Sequence, residues 1–283
     1  MREIRLLGVV LAMFLLSGTL LAGTRDHQGS PLQGDTVRLL TQWNGDDEAV
    51  LASLFASGDT RIKDVVEACD SQDMALHGEA YLILYLIGSP EARACVTGLH
   101  TDDGKIAALA PADSLTSEDF EALEHLFRRR TCEQNASCKE EDAPLVDESL
   151  SYALVLDGSP RAMTLLGRVA TLSKACHTED LIGSDVASNS ALLRREAQSK
   201  TRHLSLQSST FESQVRESAF FIPANARSDA GVKLLARNQT DTRMLLEVSY
   251  HCGMLCGSGY YVVLKKNSAG TWDYALIERA WIS

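Results

Sequence analysis

The residues of this sequence best suited to chemistry lie within one six-residue segment: His251, Cys252 and Cys256. Imidazole nitrogen and thiolate sulfur are ligands that zinc and copper accept, so these side chains could hold a metal ion. The two cysteines could instead form a disulfide across a tight loop, which Gly253 and Gly257 would help to close. Their spacing also differs from the Cys-x2-Cys of thiol oxidoreductases. We expect the disulfide, and the metal site is the alternative.

The N-terminus bears on this choice because it predicts the compartment. Arg2 and Arg5 precede an apolar run at residues 6–22, which is typical of a secretory signal. We therefore predict a cleaved signal peptide at residues 1–23 and a secreted or periplasmic protein. No stable membrane insertion is expected unless the signal stays uncleaved. Exported proteins meet an oxidising environment, which favours disulfides over free thiols.

The sequence has seven cysteines, and we predict three disulfides among them: Cys252–Cys256, Cys132–Cys138 and Cys69–Cys95. The first two would close short loops, each worth roughly 2 kcal/mol in the chain-entropy model. The third would join two predicted helices and contribute roughly 3.5 kcal/mol on the same model. Cys176 is left without an assigned partner.

Charge and motifs exclude several function classes. The net charge of −11 repels phosphate, so nucleic acids and anionic membrane surfaces are not expected partners. The sequence has no Gly-x-Ser-x-Gly nucleophile elbow, no His-Glu-x-x-His zinc motif and no Gly-rich phosphate loop with lysine. The acidic run Asp46-Asp47-Glu48 is interpreted as the first turn of a helix, where carboxylates favour the helix dipole. We therefore expect a non-enzymatic protein without a cofactor.

The first two-thirds of the chain contains recurring Gly-Ser-Pro segments between apolar runs, and this punctuation predicts helical hairpins. Gly88-Ser89-Pro90 and Gly158-Ser159-Pro160 each separate two apolar-periodic runs. Glycine can end a helix in the left-handed conformation, and serine and proline suit the start of the next helix. Gly58-Asp59-Thr60 is a weaker copy of this punctuation. Residues 46–175 resemble HEAT-type repeats, most clearly at 80–96, and that resemblance implies an α-solenoid-like stack that presents a surface to a protein partner. An irregular helical bundle is the alternative.

From His203 onward, short runs rich in Val, Leu, Phe and Tyr alternate with polar turns, which is typical of an antiparallel sheet. The predicted strands lie at 204–208, 215–222, 231–237, 243–251, 259–265 and 271–277. The sequence therefore predicts an α+β protein, in which a solenoid-like helical domain at 35–198 is followed by a small antiparallel β domain at 203–283.

The segment from Cys252 to Gly259, together with Trp272 and the terminal Trp281-Ile282-Ser283, resembles a C-terminal module of uncharacterised secreted bacterial proteins. The resemblance covers about residues 205–283 and implies no activity. We predict an exported, non-enzymatic binding or scaffold protein whose helical surface meets a protein partner. One alternative is an enzyme or a metal or thiol module centred on His251, Cys252 and Cys256. Another is a small-ligand site on a concave sheet.

Overall fold

A computed structural model describes much of the chain. The described residues are 36, 38–40, 48–69, 74–89, 91, 117, 120–121, 124, 148–175, 193–195, 204–205, 210–253 and 256–282. The predicted signal peptide at 1–23 lies outside them. The same is true of Cys95, Cys132, Cys138 and Cys176.

The described elements are helices followed by a sheet. In chain order they are α1 (Glu48–Ala68), α2 (Met74–Ile87), α3 (Glu148–Asp157), α4 (Pro160–Ala175), α5 (Phe211–Ser218), a 3-10 helix (Ala224–Asp229), β1 (Gly231–Arg237), β2 (Arg243–Gly253), β3 (Cys256–Lys266) and β4 (Trp272–Ile282). The strands pair antiparallel in the order β1-β2-β3-β4. The predicted α+β class is confirmed, and so is the antiparallel sheet.

Helices cover the sheet on both faces because its strands carry apolar side chains on both. Successive residues of a strand point to opposite faces. Leu245 and Val263 join a core with α1 and α2. Their chain neighbours Leu246 and Val262 join a second core with α3, α4 and α5. The two hairpins therefore lie on opposite sides of the sheet, and the described helices do not show a solenoid. The division into domains at 35–198 and 203–283 stays a prediction.

Both Gly-Ser-Pro segments end a helix as the sequence predicts. Gly88 and Gly158 have φ values of 68° and 59°, in the left-handed region where glycine is favoured. Ser89 N–H donates to the Leu84 carbonyl, and Gly158 N–H donates to that of Leu154. Ser159 then caps α4, since its hydroxyl oxygen accepts from Ala162 N–H.

Each of these glycines also makes room for an arginine. Arg194 donates to the Val155 and Leu156 carbonyls at the end of α3, and its guanidinium lies against Gly158. The guanidinium of Arg243, the first residue of β2, lies against Gly88. A cation is stabilised at a helix C-terminus by the exposed carbonyls and the helix dipole. The two positions therefore need glycine for close approach as well as for φ.

The prediction that Gly58-Asp59-Thr60 ends a helix is wrong, because α1 continues through it from Glu48 to Ala68. Gly58 instead lies where α1 meets α2. A Cβ atom at this position would be 2.7 Å from Ile87 Cγ2, so glycine allows the two helices to approach closely. The glycine serves a contact between helices and not a turn.

The predicted strand at 215–222 is also wrong, because residues 211–218 form α5. Val215 and Ser218 face the core one turn apart, while Glu212 and Arg216 form an ion pair on the exposed side. Ser218 Oγ lies 2.6 Å from the Tyr274 hydroxyl oxygen, a buried hydrogen bond that attaches α5 to β4. Of the predicted strand at 204–208, the structure describes a single bridge from Leu204 to Trp272.

We expect Gly158→Ala to destabilise the protein. A left-handed conformation costs a residue with a Cβ about 1–2 kcal/mol, and the displaced Arg194 adds to that cost. Gly167→Ala is the matched control, because Gly167 lies inside α4 and no atom of the described part of the chain lies within 4 Å of its added Cβ. The control should gain about 0.5–1 kcal/mol. Urea unfolding of both variants measures the difference, and an equal response would contradict the prediction.

Candidate functional site

The sheet face beneath α1 changes from apolar to polar toward the β2–β3 hairpin. Three cross-strand rows of this face can be distinguished from the strand register. The apolar row contains Leu245, Val263 and Leu276. The charged row contains Lys233, Glu247, Tyr261 and Glu278. The third row, the glycine row, contains Gly231, Ser249, Gly259 and Trp281. The apolar row belongs to the core, whereas the other two rows approach the hairpin. The candidate site is formed by residues of these last two rows together with His251, which follows them toward the hairpin tip.

Two carboxyl groups and one ammonium group meet where α1 begins. Lys233 donates to the carboxylate of Glu48, the first residue of α1. Burial of Glu247 raises the pKa of its carboxyl above the usual value, and its hydrogen bond with Glu48 is the second cause of the rise. Trp281 Nε1–H donates to Glu247 Oε1 at 3.5 Å, and this bond and the charge of Lys233 oppose the rise. Glu48 therefore acts as a first-turn acid and also attaches α1 to the sheet.

Two aromatic rings, one from each of the strands that flank β3, meet above the glycines of β3. His251 on β2 pairs with Gly257, and Trp281 on β4 pairs with Gly259. The His251 and Trp281 rings stack with centroids 5.2 Å apart and planes inclined by 28°. A Cβ atom at position 259 would overlap the indole, so glycine is required beneath Trp281. We call Lys233, Glu247, His251, Gly259 and Trp281 the hairpin ledge.

The structure brings Cys252 and Cys256 together in a disulfide at the tip of the β2–β3 hairpin, with Cα atoms 5.1 Å apart. Both residues are exposed. Because the two sulfurs are bonded to each other, neither is a thiolate that could bind a metal ion beside His251. Among the described residues, no group of three metal-ligating side chains is found. Cys69 is disulfide-bonded as well, and the identity of its partner stays a prediction.

A concave pocket of about 180 Å³ lies on α4, away from the hairpin. It is lined by Glu124, Arg161, Thr164, Leu165 and Arg168. Arg161 Nε donates to Glu124 Oε1 at 2.6 Å, and its guanidinium lies 4.9 Å from the Phe120 ring centroid. The arginine thereby attaches Phe120 and Glu124 to α4. This contact accounts for Arg161 without a ligand, so we place the candidate site at the hairpin ledge.

The chemistry of the hairpin ledge is that of a binding surface. It offers the carboxyl group of Glu247, the ammonium group of Lys233 and two stacked rings, one of which, His251, is exposed. Sequence reasoning singled out His251 but missed Lys233, Glu247 and Trp281 as its neighbours. The glycine spacing in β3 was the available signal, since two glycines two residues apart leave space on one face of a strand.

No family model matches the chain, and neither the curated proteins nor the solved structures contain a match. The resemblances to HEAT-type repeats and to the C-terminal module therefore remain predictions. Within the described ranges, no helix combines the length and the apolar character needed to cross a membrane.

We expect Glu247→Gln to be more stable than the wild type at neutral pH. A raised pKa means that folding disfavours the ionised carboxyl, so the stability that Glu247 contributes is fully present below pH 4.5, the usual Glu pKa, and is lost as the pH rises through the folded-state pKa. Glutamine resembles the protonated acid and can still accept from Trp281. Thermal unfolding between pH 4 and 8 should show the two proteins converging at low pH. The exposed Glu217→Gln controls for the loss of one charge; an equal gain there would contradict the prediction.

We expect Gly259→Ala to destabilise the sheet by about 1–3 kcal/mol, because the methyl group would displace the Trp281 indole. In a Trp281→Ala background the same substitution should cost at least about 0.5 kcal/mol less. Gly231→Ala is the matched control in the same row, since its Cβ would meet Ser249 Oγ at an ordinary 3.4 Å. Urea unfolding of the wild type, the Gly259→Ala and Trp281→Ala single variants and the double variant completes the double-mutant cycle. Additive effects of the two substitutions on the free energy of unfolding would refute the contact.

Proposed function

We propose that this protein is an exported, non-enzymatic binding protein that presents a helical surface to a protein partner. The predicted signal peptide supports export. The α1–α2 hairpin supports a partner-binding role, because one side of α1 is buried in the core and the other faces outward. The net charge of −11 favours a partner whose contacting surface is neutral or basic.

The observation that carries the proposal is the outward side of α1. Among its described side chains, the exposed ones are Ala49, Ser53, Thr60 and Lys63, with Ala52, Ala56 and Ser57 half-buried beside them. Small side chains allow the backbone of another chain to come close. The opposite side of the same helix, including Leu51, Leu54 and Phe55, is buried in the core.

The hydroxyl groups of Ser57 and Thr60 on this side are already satisfied within the helix. Ser57 Oγ donates to the Ser53 carbonyl at 2.7 Å, and Thr60 Oγ1 donates to the Ser57 carbonyl at 2.8 Å. Burying a hydroxyl that keeps its hydrogen bond avoids most of the desolvation penalty of an unsatisfied donor. A partner can therefore cover this side of α1 at low cost.

We expect a photo-crosslinking residue at Ser53 to capture a specific partner in the extracellular fraction of the native host. The matched control carries the same residue at Ser213, which is exposed on α5 across the sheet. Ala49→Arg in the Ser53 crosslinker background should lower capture at least about tenfold, equivalent to about 1.4 kcal/mol of binding. The melting temperature of this variant should stay unchanged, since position 49 is exposed.

Two outcomes would argue against the proposal. Equal capture from positions 53 and 213, insensitive to Ala49→Arg, would mean that the outward side of α1 is not the binding surface. A turnover activity abolished by a single substitution would show that the protein is an enzyme.

A further inference from the structure

The two disulfides that involve described residues differ in how accessible they are. Cys69 is 9% exposed and belongs to the core between α1, α2 and the sheet. Cys252 and Cys256 are both exposed, as are their neighbours His251 and Gly253. Disulfide exchange requires an attacking thiolate to reach one of the sulfur atoms, so access separates these two bonds. The hairpin disulfide is the accessible one.

The local backbone leaves space for an incoming group. The β2–β3 register shifts between His251 and Gly253, which places Cys252 at an irregularity of the strand ladder. Among the described residues, none has an atom within 4 Å of the position that a Cβ atom on Gly253 would occupy. An approaching chain therefore meets open space beside Gly253.

We propose that the Cys252–Cys256 disulfide is a thiol–disulfide exchange site whose reaction partner is a dithiol of another protein. A thiolate of the dithiol attacks one sulfur, the Cys252–Cys256 bond breaks, a mixed disulfide forms, and the other cysteine leaves as a thiolate. The second thiol of the partner, once deprotonated, attacks the mixed disulfide and releases the remaining cysteine. Two electrons pass to this protein, and the partner dithiol becomes a disulfide.

The contacts that stabilise the fold do not depend on the Cys252–Cys256 disulfide. Below the hairpin tip, Ser249 pairs with Gly259, Tyr250 with Ser258 and His251 with Gly257. Neither core includes Cys252 or Cys256. Reduction would therefore release the tip of the hairpin and leave the sheet intact. Because His251 precedes Cys252 and stacks on Trp281, we expect the change to reach the hairpin ledge.

The test uses the mature, oxidised protein and dithiothreitol as the dithiol probe. After incubation at graded dithiothreitol concentrations, free thiols are alkylated and counted by peptide mass spectrometry. We expect Cys252 and Cys256 to be alkylated at a rate at least about tenfold higher than Cys69, while the circular dichroism spectrum is unchanged. Tryptophan fluorescence should change in parallel, and that change should be lost in Trp281→Phe.

Glutathione provides a second measurement, because this monothiol leaves a mixed disulfide that mass spectrometry detects on Cys252 or Cys256. The proposal is overturned if Cys69 is reduced as fast as the hairpin pair. It is equally overturned if the hairpin pair is reduced only when the circular dichroism signal of folded protein is lost. These outcomes concern the hairpin alone, so they are separable from failure of the binding surface on α1.

Discussion

Both faces of the β2–β3 pair are apolar, and the arrangement of the helices follows from the need to cover them. Residues 244–246 and 262–264 are buried without alternation of apolar and polar side chains. An antiparallel sheet often leaves one face in water, but here water would meet leucine and valine on either side. Burial of one such side chain contributes about 1.5–3 kcal/mol. The α1–α2 hairpin covers one face, and α3, α4 and α5 cover the other.

Local chemistry made much of the fold predictable from the sequence. The Gly-Ser-Pro segments encode helix ends that need no distant partner, and the strands at 231–237 and 243–251 were recognisable from their residue types. The failures had two causes. Gly58-Asp59-Thr60 has residue types that are typical of a turn. Gly58 is in fact required by its close contact with Ile87, and that contact cannot be read from the sequence. Val215 and Phe221 suggested a strand, whereas the exposed Glu212–Arg216 pair has helical spacing.

The candidate site was predictable only in part, because strand register decides it. The cysteines and His251 are close together in the sequence, so their proximity could be foreseen. Lys233, Glu247 and Trp281 come from three strands, and a shift of one residue in pairing would place any of them on the opposite face. The β4 irregularities that set the position of Trp281 arise from pairing with β3. Local propensity carries no information on such pairing.

The composition of the α1–α2 core fixes an order of events during biosynthesis. Leu84 and Leu86 of α2 are buried in a core completed by Leu245, Val263 and Leu276, more than half of the 283-residue chain later. At 5–20 residues per second, a ribosome needs on the order of ten seconds or more to supply those strands. During that interval the most apolar helix lacks its cover. The nascent protein therefore exposes apolar surface early in its synthesis, and that surface is buried only when the last strands have been made. The unfinished chain is accordingly a suitable client for chaperones.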